Sequence, residues 1–224
     1  AAGPLDGFAW PALLALGGAT LLLAALGVLA SRRLRSLAAY LVLGSAATLF
    51  IAFALATAGT VSAGLYYLAH STFAGAALFL LADLIRRRRG AAGDRKDMLA
   101  ALPDRTVPGV LFLIAAVSLV GLPPLSGFIG KLLLLQAVPA ASTGWVWALV
   151  LGSSLLMLVG LARAGTRLFW RVEPWPDAPP ERLTNYVPLD AMAVAPSRPL
   201  EATATMLLLA YGIAMALAAA PLLD

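Results

Sequence analysis

Two residues stand out as able to do chemistry in an otherwise apolar chain, Lys131 and His70. Lys131 follows Gly121-Leu122-Pro123-Pro124-Leu125-Ser126-Gly127 by four residues. Two prolines remove two backbone donors and disfavour helix in the residue before each, and Gly121 and Gly127 permit sharp turns. The spacing predicts a helix broken between Gly121 and Gly127, with Lys131 on its second half. At membrane depth a broken helix is tolerated where its freed backbone is buried in protein or lines a wet cavity, and transporters place ion sites there. A lysine there is costly to charge and shifts its pKa readily, as proton exchange requires. The alternative is a lysine that snorkels to the outer interface.

His70 is the only histidine. Tyr66, Tyr67 and Ser71 share its helix face by spacing. An imidazole can pass protons through either nitrogen near neutral pH; the alternative is a neutral histidine bonded to a neighbouring helix. With one histidine and no cysteine, no metal site is expected. Ser126 and His70 raise the question of hydrolysis, but no acid or oxyanion signature accompanies them. No phosphate loop or dinucleotide fingerprint is present, so no cofactor is expected. Arg35 reads first as a topology anchor, Asp83 with Arg86 as an interfacial pair, and Arg163 and Arg167 as structural.

These residues sit in an all-α, polytopic membrane chain. Of 224 residues, 61% are hydrophobic and 12% charged, about half the charge of a soluble domain, ~25%. Apolar residues come in blocks, which argues for helices over a β-barrel. Six segments follow, near 8–30, 37–58, 61–85, 107–138, 144–170 and 200–223, with Gly59-Thr60 as a minimal turn between the second and third. The fourth would be roughly 48 Å long if continuous, more than a hydrocarbon core of about 30 Å; the break resolves the excess. A Pro-rich polar stretch, 171–199, precedes the last segment.

Charge sets the orientation. With the first helix running inward, 15 of the 16 lysines and arginines fall on one side, all but Lys131. The positive-inside rule makes that side cytoplasmic, and the net charge of +5 is then topological and implies no nucleic acid. Trp10, Trp145, Trp147 and Trp170 fall near helix ends, as an interfacial belt requires. The chain opens Ala-Ala-Gly-Pro-Leu-Asp-Gly, with no signal-peptide n-region, and is expected to be the C-terminal piece of a longer protein, forming one membrane domain.

Two long stretches carry a family resemblance. Residues 66–85, Tyr-Tyr-Leu-Ala-His-Ser-Thr-Phe through Leu-Leu-Ala-Asp-Leu-Ile, resemble the eleventh helix of the antiporter-like membrane subunits shared by Mrp-type monovalent cation/proton antiporters and respiratory complex I. Residues 121–136, ending Gly-Lys-Leu-Leu-Leu-Leu-Gln, resemble their broken twelfth helix. With Gly-Leu-Ala-Arg-Ala-Gly-Thr-Arg-Leu-Phe-Trp at 160–170, the likeness is greatest to the D-type branch of the Mrp antiporters, and it covers helices nine to fourteen of a fourteen-helix protein.

The resemblance implies a transporter subunit, not an enzyme, in a bacterial inner membrane. It implies other antiporter subunits as partners in a hetero-oligomer, and protons and monovalent cations, with Na+ expected, as the transported ions. It puts Lys131 on the family's twelfth-helix lysine, His70 on its eleventh-helix histidine and Arg35 on a basic position opening the tenth helix. Two departures thin the polar axis: Ala74 stands where many complex I relatives have lysine, and Tyr66 where a second histidine occurs. The family's fifth-helix glutamate and seventh-helix lysine belong to the half upstream of this chain. The rival implication is a redox-driven pump subunit.

Overall fold

A computed structural model describes residues 9–100, 102, 105–170, 186–187 and 199–219. Backbone polar groups in hydrocarbon must be satisfied within their own segment, and the apolar blocks accordingly form α1 (Trp10–Ala30), α2 (Leu34–Ala54), α3 (Ala58–Arg88), α4 (Thr106–Val120), α5 (Ser126–Gln136), α6 (Thr143–Gly165) and α7 (Pro199–Ala218). A π-helical turn, Thr166–Trp170, extends α6. Five of these elements are long and apolar enough to cross a bilayer, and α4 and α5 are the shorter apolar pieces. The expected six spans are therefore present, the fourth as two half-helices. Among the described residues the fold is all-α apart from one parallel pairing of two-residue strands, β1 (Leu99–Ala100) with β2 (Tyr186–Val187), and an isolated antiparallel bridge between Arg33 and Arg95.

The expected turn at Gly59-Thr60 is displaced. Both residues lie in the first turn of α3, and the connection is at residues 55–57. Thr57 is the reason. Its Oγ1 accepts from Thr60 N at 3.1 Å, while Thr60 Oγ1 accepts from Thr57 N at 3.2 Å. This reciprocal cap satisfies two orphan donors and outweighs the turn propensity of Gly59. At its other end α3 runs past the expected stop at Ile85 to Arg88, carrying Asp83 into ion pairs with Arg86 (2.8 Å) and Arg87 (2.5 Å). The Pro-rich stretch, apart from 186–187 and Pro199, and the end of the last span beyond Ala219 lie outside the described residues.

α3 is central, packing against α2, α4, α5 and α7, while α1 packs on α2 and α6. One continuous core, from Leu21 and Ala24 through Leu37, Leu78, Leu111 and Leu161, joins them. Outward leucines such as Leu23, Leu113 and Leu155 stay exposed, as a lipid-facing surface requires.

The basic end is closed by a clasp. Asp94, buried, accepts from Arg35 N (3.0 Å) and Arg35 Nε (3.1 Å), and its carbonyl accepts from Leu34 N at 2.9 Å. The carboxylate thus caps the N-terminus of α2. Arg89, wholly buried, donates to the carbonyls of Gly93, Arg95 and Met98 at 2.7–2.9 Å. Lys96 N donates to Arg32 O at 2.8 Å and Lys96 Nζ to Ser31 Oγ at 3.2 Å.

Burial, and then the nearby Arg167 charge, hold the Lys96 ammonium down to about 8, against an ordinary 10.5. Between those values the unfolded chain binds more protons than the folded one, so this group's penalty on the fold fades as pH rises. Lys96→Met is expected to abolish that gain. Thermal midpoints in detergent across pH 8–10.5 should rise for the parent relative to the variant; parallel curves would contradict the burial of Lys96.

Candidate functional site

The break is built by the residues that announce it. Gly121, at φ +82°, ends α4 in the left-handed region, which a side chain adopts at a cost of roughly 1–2 kcal/mol. Gly121 N and Leu122 N both turn back to Val117 O, at 3.1 and 3.0 Å. Pro123 and Pro124, joined by a cis bond, carry the exposed bend, and Ser126 opens α5.

The two half-helices then touch. A Cβ at Gly127 would overlap the Ser118 carbonyl oxygen and lie 2.8 Å from His70 Nε2. Glycine here allows backbone-to-backbone approach, not an unusual dihedral.

Lys131 is 7% exposed, and its Nζ donates to Val120 O at 2.6 Å and Ser154 Oγ at 2.8 Å. Val120 is the last residue of α4, so its carbonyl is one of those a helix terminus leaves unpaired. The ammonium reaches back across the break to meet the negative end of the helix dipole. A cavity of about 390 Å³ adjoins it, lined by Gly121, Lys131, Trp147, Leu151, Ser154 and Leu155 among others. Leu151 and Leu155 are 50% and 61% exposed, so the cavity opens on the flank of the bundle. Lys131 lies inside the protein and does not snorkel.

His70 is 1% exposed. Its Nδ1 lies 2.8 Å from Ser126 Oγ, so the imidazole binds the first residue of α5. Its Nε2 has no partner among the described residues and faces Gly127. Either nitrogen can carry the proton of the neutral ring, and Ser126, both donor and acceptor, suits both tautomers. Tyr67 packs beside it, ring centroids 5.7 Å apart, with its hydroxyl 3.4 Å from Ser45 Oγ.

The expected polar face is thereby divided. Tyr67 and His70 point into the α2–α3–α5 interior, whereas Tyr66 donates to Met215 O of α7 at 3.1 Å. Ser71 donates to Leu68 O of its own helix at 3.1 Å. Arg35 is in the basic clasp with Asp94. The structure thus brings together Lys131, His70, Tyr67, Gly121 and Gly127, keeps the Tyr66 ring beside Gly130 while its hydroxyl turns to α7, and sets Ser71 and Arg35 apart.

Ser126 and Ser154 carry contacts that spacing does not reveal. Ser126 stands out in sequence only as a nucleophile to be excluded. Among the described residues no carboxylate bonds to His70, so the third group that orients a catalytic base is lacking. The one trace of Ser154 in sequence is the polar pair Ser153-Ser154 within an apolar helix.

With this geometry in view, comparison with known proteins gives consistent neighbours. The family described as NADH:quinone oxidoreductase/Mrp antiporter, transmembrane, matches residues 4–157. The D component of a probable K(+)/H(+) antiporter of Rhizobium meliloti is 35% identical over 199 residues, covering 76% of this chain and 37% of that protein. The D component of a Na(+)/H(+) antiporter of Bacillus subtilis is 31% identical over 158 residues, covering 70% and 32%. The structure of an Mrp complex from a Dietzia species contains a chain of the same fold, with TM-score 0.73 and 24% identity, over 97% of this chain and 46% of that one. The chain therefore spans less than half the length of each of these relatives.

Proposed function

This chain belongs to the NADH:quinone oxidoreductase/Mrp antiporter transmembrane family, and on that ground we propose that it carries part of the proton path of a monovalent cation/proton antiporter. It is read as the C-terminal membrane domain of a D-type subunit, held with other antiporter subunits in a bacterial inner membrane. The basic clasp faces the cytoplasm and Na+ is the exchanged cation. The observation that carries this reading is the Lys131 ammonium, buried at a helix break and bonded to Val120 O and Ser154 Oγ.

Each part of the site has a task in this reading. Val120 O and Ser154 stabilise the charged ammonium. His70, anchored by Ser126, presents Nε2 to Gly127, one turn before Lys131 on α5. A change of charge nearby shifts the balance between protonated and neutral forms. The gradient drives the exchange: each charge moved across 100 mV is worth about 2.3 kcal/mol.

His70→Leu tests the relay. It keeps a buried apolar volume in place of the imidazole and removes both ring nitrogens. Cation-dependent proton flux in inverted vesicles should fall by about a hundredfold, the scale of a lost proton-transfer group, while the complex still assembles. Parental flux in an assembled variant would overturn the reading. The family also includes NADH:quinone oxidoreductase subunits, which favours the second reading, a redox-driven pump. Co-purifying quinone-reductase or iron–sulfur subunits would select it; small antiporter subunits would select the first.

A further inference from the structure

Ser126 is fully buried, and its contact with His70 uses only part of its hydrogen-bonding capacity, one donor and two acceptor sites. α7 lies on its other side. An atom built at the Cβ position of Gly212, on α7, would lie 3.4 Å from Ser126 Oγ and 3.9 Å from Ser118 Oγ, and would meet nothing nearer. Two hydroxyls, one from each half-helix, therefore flank one glycine of a third helix. Both serines are buried, Ser118 at 4% exposure.

α7 is fixed at this position. Tyr211 packs on Phe73 of α3 with tilted rings, centroids 4.2 Å apart, and Met215 O accepts from Tyr66 at 3.1 Å. Gly212 lies between these two anchors. Glycine inside a helix costs about 1 kcal/mol relative to alanine, and the space here would accept a methyl group without displacing a neighbour. Packing alone therefore gives no reason for the missing side chain. Hydration does, because a buried water needs two or more polar partners, and Ser118 and Ser126 supply them.

We infer that Ser118, Ser126 and the bare backbone at Gly212 bound a single-water site that extends the relay from His70 toward α7, with Ser126 as the hydroxyl that hands the proton on. The inference rests on the proton-path reading above. In one transfer, the water gives a proton to Ser126 Oγ as Ser126 gives its own to His70 Nδ1, and the imidazolium releases a proton from Nε2 toward the break. One proton enters at the water and one leaves at Nε2. Only O–H and N–H bonds form and break, and nothing is oxidised or reduced.

Gly212→Ala and Gly212→Ser, each in the full complex, test this. Alanine fills the water's place with a methyl group, and serine fills it with a hydroxyl. Gly212→Ala should assemble normally yet lose at least about tenfold in proton flux, and Gly212→Ser should restore it. Parental flux in Gly212→Ala overturns the water site. Equal loss in both variants also overturns it, because bulk and not chemistry would then be at fault. If His70→Leu abolishes flux while Gly212→Ala does not, only this inference fails; if His70→Leu leaves flux intact, the proton path itself fails.

Discussion

Lys131→Ala is expected to abolish cation-dependent proton flux while leaving the complex assembled. The substitution removes the amine that bonds to Val120 O and Ser154 Oγ. An unpaired buried carbonyl costs about 1–3 kcal/mol, a fraction of the roughly 5–15 kcal/mol that holds a domain folded. Folding therefore survives and proton exchange does not. Lys131→Arg separates the two tasks of the residue. A guanidinium keeps the charge but does not release its proton in a protein, so Lys131→Arg should also be inactive. Flux in inverted vesicles, set against the amount of assembled complex, reads both. An active Arg variant would mean that fixed charge suffices; an active Ala variant would remove Lys131 from the path.

Gly127→Ala is expected to fail earlier, at assembly. Its Cβ would overlap Ser118 O and press on His70 Nε2. The first obstacle is backbone, so no rotamer change relieves it. α5 must move away from α4 and α3, which breaks the contact of His70 with Ser126 at 2.8 Å. Overpacking of this kind costs about 1–3 kcal/mol when side chains can give way, and more when they cannot. Little intact complex should be recovered on native gels. Gly152→Ala is the matched control, because nothing lies within 4 Å of a Cβ there. Normal assembly of Gly127→Ala would show that the half-helices do not meet as described.

How much of this was legible from residue order follows from how local each force is. Hydropathy is local, and a bilayer leaves an apolar run no choice but helix; the six spans and their shared basic end were therefore readable. So was the break, because proline and glycine act on their own backbone. Boundaries were less so: the cap at Thr57 is a matter of two hydroxyls, and a glycine next to it pointed to the wrong turn. Beyond a pair one turn apart such as Asp83 with Arg86, side-chain partners were not readable. Lys131 finds Ser154 across 23 positions, His70 finds Ser126 across 56, and Tyr66 finds Met215 across 149.

Tyr66 and Tyr67 show the difference most plainly. Adjacent on one helix, both fall by spacing on the face of His70, yet one reaches α7 and the other α2. A helix offers neighbouring residues directions about 100° apart, and only the placement of α2, α5 and α7 around α3 settles what each direction meets. Residue order alone dictated that a lysine and a histidine would lie on apolar segments, the lysine just past a broken helix. The packing of four helices then selected which carbonyl and which hydroxyls hold them, because those contacts depend on distances between segments that no local pattern encodes.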